Sequence, residues 1–392
     1  IGYDPANDVH VLVDMVREKR RTLLLRLDPT RAAEAKPGGP EEVWKSDKYQ
    51  VAWSHLPATQ AEYRERVAEH EKRLDAVPPN TWTHLEAPYG GWGRAYGSFC
   101  HDWDRDQIVL WGGGHSAYMG NEVSQYDLKA NLWMESWSPE LPPYPYGHPD
   151  GPGWHPSFYH EKGTHHGYHH YVYCSDLKRI VFFGGALQYD PDRMRYVRDK
   201  LAKAGKGSAG HSVEMSGAPG LLTVSTRHWY GSPFGVWRAD FKAKTLGRIP
   251  GSDTPFGTND RAKAVFDPTR RRVLFYGAAK EGKKRICNQL WAFPLETKRW
   301  EHIATKTEPA GTEPPEIRAW NYCYSTTHDC LLIAAKDTWV YDCKANVLRK
   351  IGPGIDTSGV VYSAKHGLFY ALCGGGYKPQ QVYVFRYAPG ER

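Results

Sequence analysis

The chain has 392 residues, 40% hydrophobic, 13% aromatic and 24% charged, with 51 Lys+Arg against 44 Asp+Glu. The absence of any run of 18 apolar residues excludes a transmembrane helix. The aromatic content excludes a mainly disordered chain, and a net charge of +7 suits an anionic ligand but is too small to indicate nucleic acid.

In chain order, one unit of four short strands, a to d, recurs. Residues Ile1 to Asp28 read as strands a, b and c of a first unit, with Thr81 to Ala87 as its strand d. Between them lies an inserted segment, 29–80. Within it ATQAEYRERVAEHEKRLDAV (Ala58 to Val77) has charged helical periodicity, with Thr59 a candidate N-cap and Pro78 a stop. This predicts one solvated helix on the outside of the fold.

The clearest unit runs from Tyr96 to Trp137: YGSFCHD, turn WDRD, QIVLWGGG, loop HSAYMG, NEVSQYDL, turn KAN, LWMESW. Asp side chains bond back to the local backbone in such a–b turns. His169 to Gly185 supplies a and b of a third unit, and its c and d fall unplaced between Ala186 and Gly220. Leu221 to Ile249 supplies b, c and d. Ala262 to Ile303 and Trp320 to Ile351 supply complete units, and Gly359 to Tyr387 supplies a, b and c. Seven copies at a spacing of ~40–50 residues predict an all-β, seven-bladed β-propeller spanning 1–392 as one domain. Ring closure is left open, because the last unit shows no strand d.

Topology selects a face. Strands alternate in direction, so b–c and d–a connections leave on one side and a–b and c–d turns on the other. The a–b and c–d turns are short. The other connections are long and rich in His, Tyr and cations, which makes that face the expected site. Nine of the 18 His lie between residues 101 and 170. His115 and His228 each begin a b–c loop, and His166 ends a d–a connection. Tyr118, Tyr168, Trp229 and Tyr230 stand near them, with Arg227 beside His228 and Asn121 closing the loop of His115. Arg17 and Lys280 fall in two further b–c loops of positive charge, a composition suited to an anionic polymer.

Metal and thiol signals are weaker. His165, His166, His169 and His170 have helical spacing but fall at a strand start, where neighbours face opposite sides. A mixed site using Cys100, His101 or Cys174 stays open, as does a structural zinc or calcium. Cys323 and Cys330 lie on one hairpin and are candidates to pair; their alternative is two buried thiols. With seven Cys, at least one is unpaired or metal-bound.

The double glycine ending strand b, followed by "YD" on c and Trp on d, resembles the kelch repeat of galactose-oxidase-like propellers. The stretch GGGHSAYMGNEVSQYDL is similar to a bacterial group of kelch-like propellers. By residue type and loop position the chain also resembles ulvan-lyase-type polysaccharide lyases. That resemblance implies β-elimination on a uronate-containing polysaccharide or oligosaccharide in a secreted or periplasmic protein, without nucleic acid, membrane insertion or a required cofactor. His115 or His166 would be the base, Tyr168 or Tyr230 the acid and Arg227 the carboxylate neutraliser, with His228 in the same catalytic group. Asn121, Tyr118, Trp229, Arg17 and Lys280 would bind substrate. Two alternatives are a carbohydrate- or protein-binding propeller without catalysis, supported by Trp92, Trp154 and Trp229, and a copper radical oxidase, for which Cys373 before GGGY would supply the crosslink.

Overall fold

A computed structural model describes residues 2–4, 9–14, 21–25, 57, 59–87, 98–111, 123–137, 171–182, 187–193, 195–197, 202–204, 211–225, 235–255, 263–277, 279–281, 284–286, 288–317, 321–374 and 380–390. Strands β1 (Gly2–Asp4), β2 (Val9–Asp14) and β3 (Arg21–Leu25) form an antiparallel sheet of their own. Helix α1 (Gln60–Asp75) follows, then β4 (Trp82–Leu85). Blade 1 comprises β5 (Ser98–Asp102), β6 (Gln107–Trp111), β7 (Val123–Asp127) and β8 (Leu132–Trp137). Blade 2 comprises β9 (Tyr171–Cys174), β10 (Arg179–Phe182), β11 (Leu187–Asp190) and β12 (Arg195–Val197).

An outer strand β13 (Ala202–Ala204) precedes blade 3, which is β14 (His211–Glu214), β15 (Leu222–Ser225), β16 (Gly235–Asp240) and β17 (Thr245–Arg248). Blade 4 begins with β18 (Ala264–Asp267) and β19 (Arg272–Tyr276). A small hairpin of β20 (Ala279–Glu281) and β21 (Lys284–Ile286) interrupts it before β22 (Leu290–Pro294) and β23 (Glu301–Ile303). A second outer strand, β24 (Lys306–Glu308), leads to blade 5: β25 (Tyr322–Ser325), β26 (Cys330–Ala334), β27 (Asp337–Asp342) and β28 (Val347–Pro353). Blade 6 holds β29 (Gly359–Ser363), β30 (Leu368–Cys373) and β31 (Gln381–Phe385).

Each inner strand touches the next, in the cycle β5, β9, β14, β18, β25, β29 and back to β5. The ring is therefore a six-bladed β-propeller, not the seven-bladed one expected. The repeat at Ile1 to Asp28 is the extra copy. Its three strands pair only with one another among the described residues. The strand assigned to it at Thr81 to Ala87 belongs elsewhere. β4 pairs antiparallel with β31, Leu85 opposite Val382 and Trp82 opposite Phe385, and so supplies the strand d missing from blade 6. A segment before blade 1 thus completes the last blade and closes the ring.

The blades form because alternate residues pack between sheets. Between blades 1 and 6, Phe99, Ile108, Tyr126 and Trp133 meet Val361, Tyr370, Leu372 and Val384. Blades 4 and 5 do the same with Leu274, Tyr276, Tyr322 and Leu331. Every one of these side chains is buried, and full burial of each contributes roughly 1.5–3 kcal/mol before entropy is subtracted. The missing strands of the third unit are β11 and β12. β12 is a three-residue strand, RYV, without the Trp that marks strand d in blade 1, so no local signal sets it apart.

Helix α1 starts where Thr59 Oγ1 accepts the Glu62 amide at 3.1 Å. It lies against the end of the ring that carries the short turns. The Tyr63 hydroxyl donates to Asp127 Oδ2 at 2.6 Å, and Arg66 Nε donates to the Ala130 carbonyl at 2.8 Å. Arg386, just past β31, donates to the Leu74 and Val77 carbonyls, a cation at the helix C-terminus. The only buried side chains of the helix are His70 and Leu74.

Candidate functional site

The short-turn end is held by repeated ion pairs. In blade 1, Arg105 donates to Asp102 Oδ2 at 2.8 Å and reaches Asp192 of blade 2 through two bonds, at 2.8 and 2.6 Å. In blade 4, Arg270 donates to Asp267 and makes two 2.7 Å bonds to Asp329 of blade 5. The spacing Asp-x-x-Arg sets both, since it returns the guanidinium over its own turn and leaves the fork for the neighbouring blade. Asp267, Asp329 and Cys343 form the one His/Cys/Asp/Glu group of metal-ligand spacing among the described residues. Arg270 and Arg272 already pair with its carboxylates, and burial pushes the Cys343 thiol up to about 12, so it is an ion-pair cluster.

The seam between blades 6 and 1 is built differently. Asp106 sits 2.7 Å from His366 Nε2 and 3.4 Å from His101 Nε2, and accepts from the Ser363 hydroxyl at 2.8 Å. Burial alone would raise this carboxyl, but hydrogen bonding from the two imidazoles holds it far below the usual carboxylate range. Ser363 bonds to the carboxylate and not to an imidazole, so the group is not a nucleophilic triad, in which the base must touch the hydroxyl.

The ring axis holds a second buried pair. Lys263, immediately before β18, is 3% exposed and forms an ion pair with Glu214 of β14. Its ammonium also donates to the Val360 carbonyl of β29 at 3.0 Å, tying three inner strands together. The remaining cavity beside it is about 10 Å³, room for one water at most. The pair escaped sequence reading because strand a of blade 3, HSVE, was not recognised; a charged residue on an inner strand would have been the signal.

The long-connection end is anchored by aromatic strand ends. The Trp111 amide donates to the Tyr171 hydroxyl at 2.7 Å, which donates on to the Trp111 carbonyl at 3.0 Å. Their rings meet edge to face, 5.7 Å between centroids. Blades 4 and 5 repeat the device: the Tyr276 amide donates to the Tyr322 hydroxyl at 3.1 Å, and that hydroxyl donates to the Lys263 carbonyl.

His115, Tyr118 and Asn121 lie between β6 and β7. His166 and Tyr168 precede β9, while Arg227, His228, Trp229 and Tyr230 follow β15. Arg17 lies between β2 and β3. All ten are outside the described residues. Lys280 lies on β20, with its side chain outside the described set. Trp92, Trp154, His165, His169 and His170 are likewise outside. Arg17 belongs to a segment of the three-stranded sheet and not to a b–c connection of the ring, because that sheet is not a blade.

The thiol expectations are corrected. Cys323 and Cys330 are free and buried: Cys323 stands opposite Leu332, and Cys330 opposite Ser325. Cys100 packs with Val109 and Trp111, whereas Cys174 packs with Val181 and Leu221, so these two do not converge with His101 on a metal. Cys373 is packed among Val360, Phe369 and Ala371, and burial pushes its thiol up to about 12, an apolar setting unlike a copper ligand sphere.

No family model matches the chain, and no curated protein matches it by sequence. Among solved structures, it is similar to a gluconolactonase from Xanthomonas campestris at 10% identity and TM-score 0.46, covering 79% of this chain and 98% of that one. It is also similar to TolB from Acinetobacter baumannii at 9% identity and TM-score 0.47, covering 84% and 70%. The class is set by the chain's own strand order, a six-bladed β-propeller with one described helix. No described helix is long and apolar enough to cross a membrane.

Proposed function

We propose that the long-connection end takes a uronate-containing anionic polysaccharide and cleaves it by β-elimination. The observation that carries this reading is the Trp111–Tyr171 junction. His115 follows Trp111 by four residues and Tyr168 precedes Tyr171 by three, and a chain extends at most ~3.6 Å per residue. The two segments therefore leave from one point, His115 tethered within about 14 Å of it and Tyr168 within about 11 Å. Arg227, His228 and Tyr230 follow Ser225 of the neighbouring blade, whose inner strand touches β9.

The chemistry needs three groups. Arg227 pairs with the uronate carboxylate, which makes the C5 proton acidic. His115 or His166 takes that proton as base. Tyr168 or Tyr230 gives a proton to the leaving O4, the C4–O4 bond breaks, and a C4–C5 double bond forms. His228 shares this group, and Asn121, Tyr118, Trp229 and Lys280 line the approach. No redox cofactor enters this scheme. A carbohydrate polymer as partner fits a secreted or periplasmic protein.

The test is incubation with a panel of uronate polymers, watching for ultraviolet absorbance of the unsaturated product. Product from at least one polymer, lost in His115→Ala and Tyr168→Phe, supports the reading. Full activity in both His115→Ala and His166→Ala contradicts the mechanism. Saturable binding without product assigns the face to a non-catalytic carbohydrate-binding propeller.

A further inference from the structure

A second polar site lies at the opposite end of the ring, on α1. Arg66, His70 and Arg73 stand at i, i+4 and i+7 and share one side of the helix. With Glu69, Ala130 and Asn131 they line a cavity of about 50 Å³ between α1 and the β7–β8 turn. Arg66 spends two donors on the turn, Nε on the Ala130 carbonyl and Nη2 on the Asn131 carbonyl at 3.3 Å. Arg73 Nη2 pairs with Glu69 Oε1 at 2.5 Å. The wall thus carries two guanidiniums against one carboxylate.

His70 is the second observation. It is 3% exposed, and neither ring nitrogen completes a hydrogen bond. The Leu128 carbonyl approaches the ring without a bond of normal geometry. A buried imidazole left unpaired costs about 1–3 kcal/mol, a cost that a bound acceptor would remove. Water would satisfy the nitrogens but would leave the excess positive charge unmatched.

We propose that this cavity binds a small tetrahedral oxyanion, phosphate or sulfate, free or as an ester. Its oxygens accept from a His70 ring N–H and from the guanidinium donors of Arg66 and Arg73 that the turn carbonyls and Glu69 leave over. The position gives the ligand a structural consequence. α1 leads directly into β4, which closes blade 6, while the facing wall belongs to blade 1. A bound oxyanion therefore pins the closing segment to the first blade.

The test uses the full chain at pH 7. Thermal unfolding is followed with inorganic phosphate, inorganic sulfate or a hexose phosphate, each against chloride at equal ionic strength. The expected result is a saturable rise in Tm of several degrees over chloride. Tighter binding of the hexose phosphate assigns an ester, and equal or weaker binding assigns the free ion. Arg73 is 55% exposed on its side chain, so Arg73→Gln is expected to fold and to lose phosphate affinity by about tenfold or more in calorimetric titration. In the unsubstituted protein the His70 ring resonances should shift with phosphate and saturate at the same concentration. Identical Tm in phosphate and chloride, or unmoved His70 resonances, overturns the proposal. Unchanged phosphate affinity in Arg73→Gln overturns it as well.

Discussion

The two ends of the ring are made of different material. At the short-turn end, tight a–b and c–d turns are held by their own Asp side chains and by guanidinium forks reaching the next blade. Several turns end in a residue with positive φ, among them Asp106, Asn131, Lys178, Arg271, Asp329 and Asn346. At the other end the anchors are aromatic, and the connections carry the His, Tyr and Arg expected to do chemistry. The contrast teaches that one end fixes blade spacing with local bonds, which frees the other to vary in length and composition. Stability and activity should then separate by end.

The largest effect should be on activity alone. His115→Ala and Tyr168→Phe are expected to lower turnover about 10²–10⁴-fold with Tm unchanged, measured by product absorbance and thermal unfolding. Next, Asp267→Ala should cost about 3–5 kcal/mol in urea unfolding, with turnover at permissive temperature unaffected. Asp267 is fully buried and accepts from Arg270, Arg272 and Tyr324; its loss strands the Arg272 guanidinium, whereas Arg270 keeps its two bonds to Asp329.

The closing seam should add a pH dependence of its own. Burial lowers His70 to about 4, and His366, Arg73 and Arg66 act in the same direction. Above the unfolded value of ~6.5 the ring is neutral in both states and contributes nothing to the slope. Between ~6.5 and about 4 the unfolded chain takes a proton that the folded one refuses, so stability falls as pH falls, by at most on the order of 3 kcal/mol. In buffer without phosphate or sulfate, urea unfolding from pH 7 to pH 4 should show this decline. His70→Gln should flatten it. Asp106, held low by its imidazoles, starts to lose its contribution as pH falls through the unfolded carboxylate value of ~3.9, and the loss continues toward its lower folded value.

Two smaller changes sharpen the comparison. Tyr171→Phe removes the hydroxyl that joins blades 1 and 2 at the aromatic end, and should cost about 1–2 kcal/mol by urea unfolding. It should also lower activity, because both proposed catalytic segments leave from that junction. Arg271, at φ 49°, adopts a conformation that glycine takes without penalty. Arg271→Gly should stabilise by up to about 1 kcal/mol and leave activity alone.

Much of the fold was legible because each repeat carries its own signals. The a–b turn DRD, the strand QIVLW and the strand VSQYD of blade 1 stand where their residues direct. Blade count was not legible in the same way. A three-stranded sheet and a three-stranded partial blade look alike in sequence, and only long-range pairing decides which of them β4 completes. The charged groups of the interior were legible only in part. Lys263 and Glu214 lie 49 residues apart on parallel inner strands, and His366 and Asp106 meet only because the ring closes. No local pattern marks such pairs.

Hydrogen–deuterium exchange, with and without a uronate oligosaccharide, tests the separation of the two ends most directly. The account predicts new protection in the segments that follow Trp111, precede Tyr171 and follow Ser225, with Asp102–Asp106 and Lys129–Asn131 unchanged. Protection confined to the short turns, or no protection anywhere at saturating oligosaccharide, would contradict it.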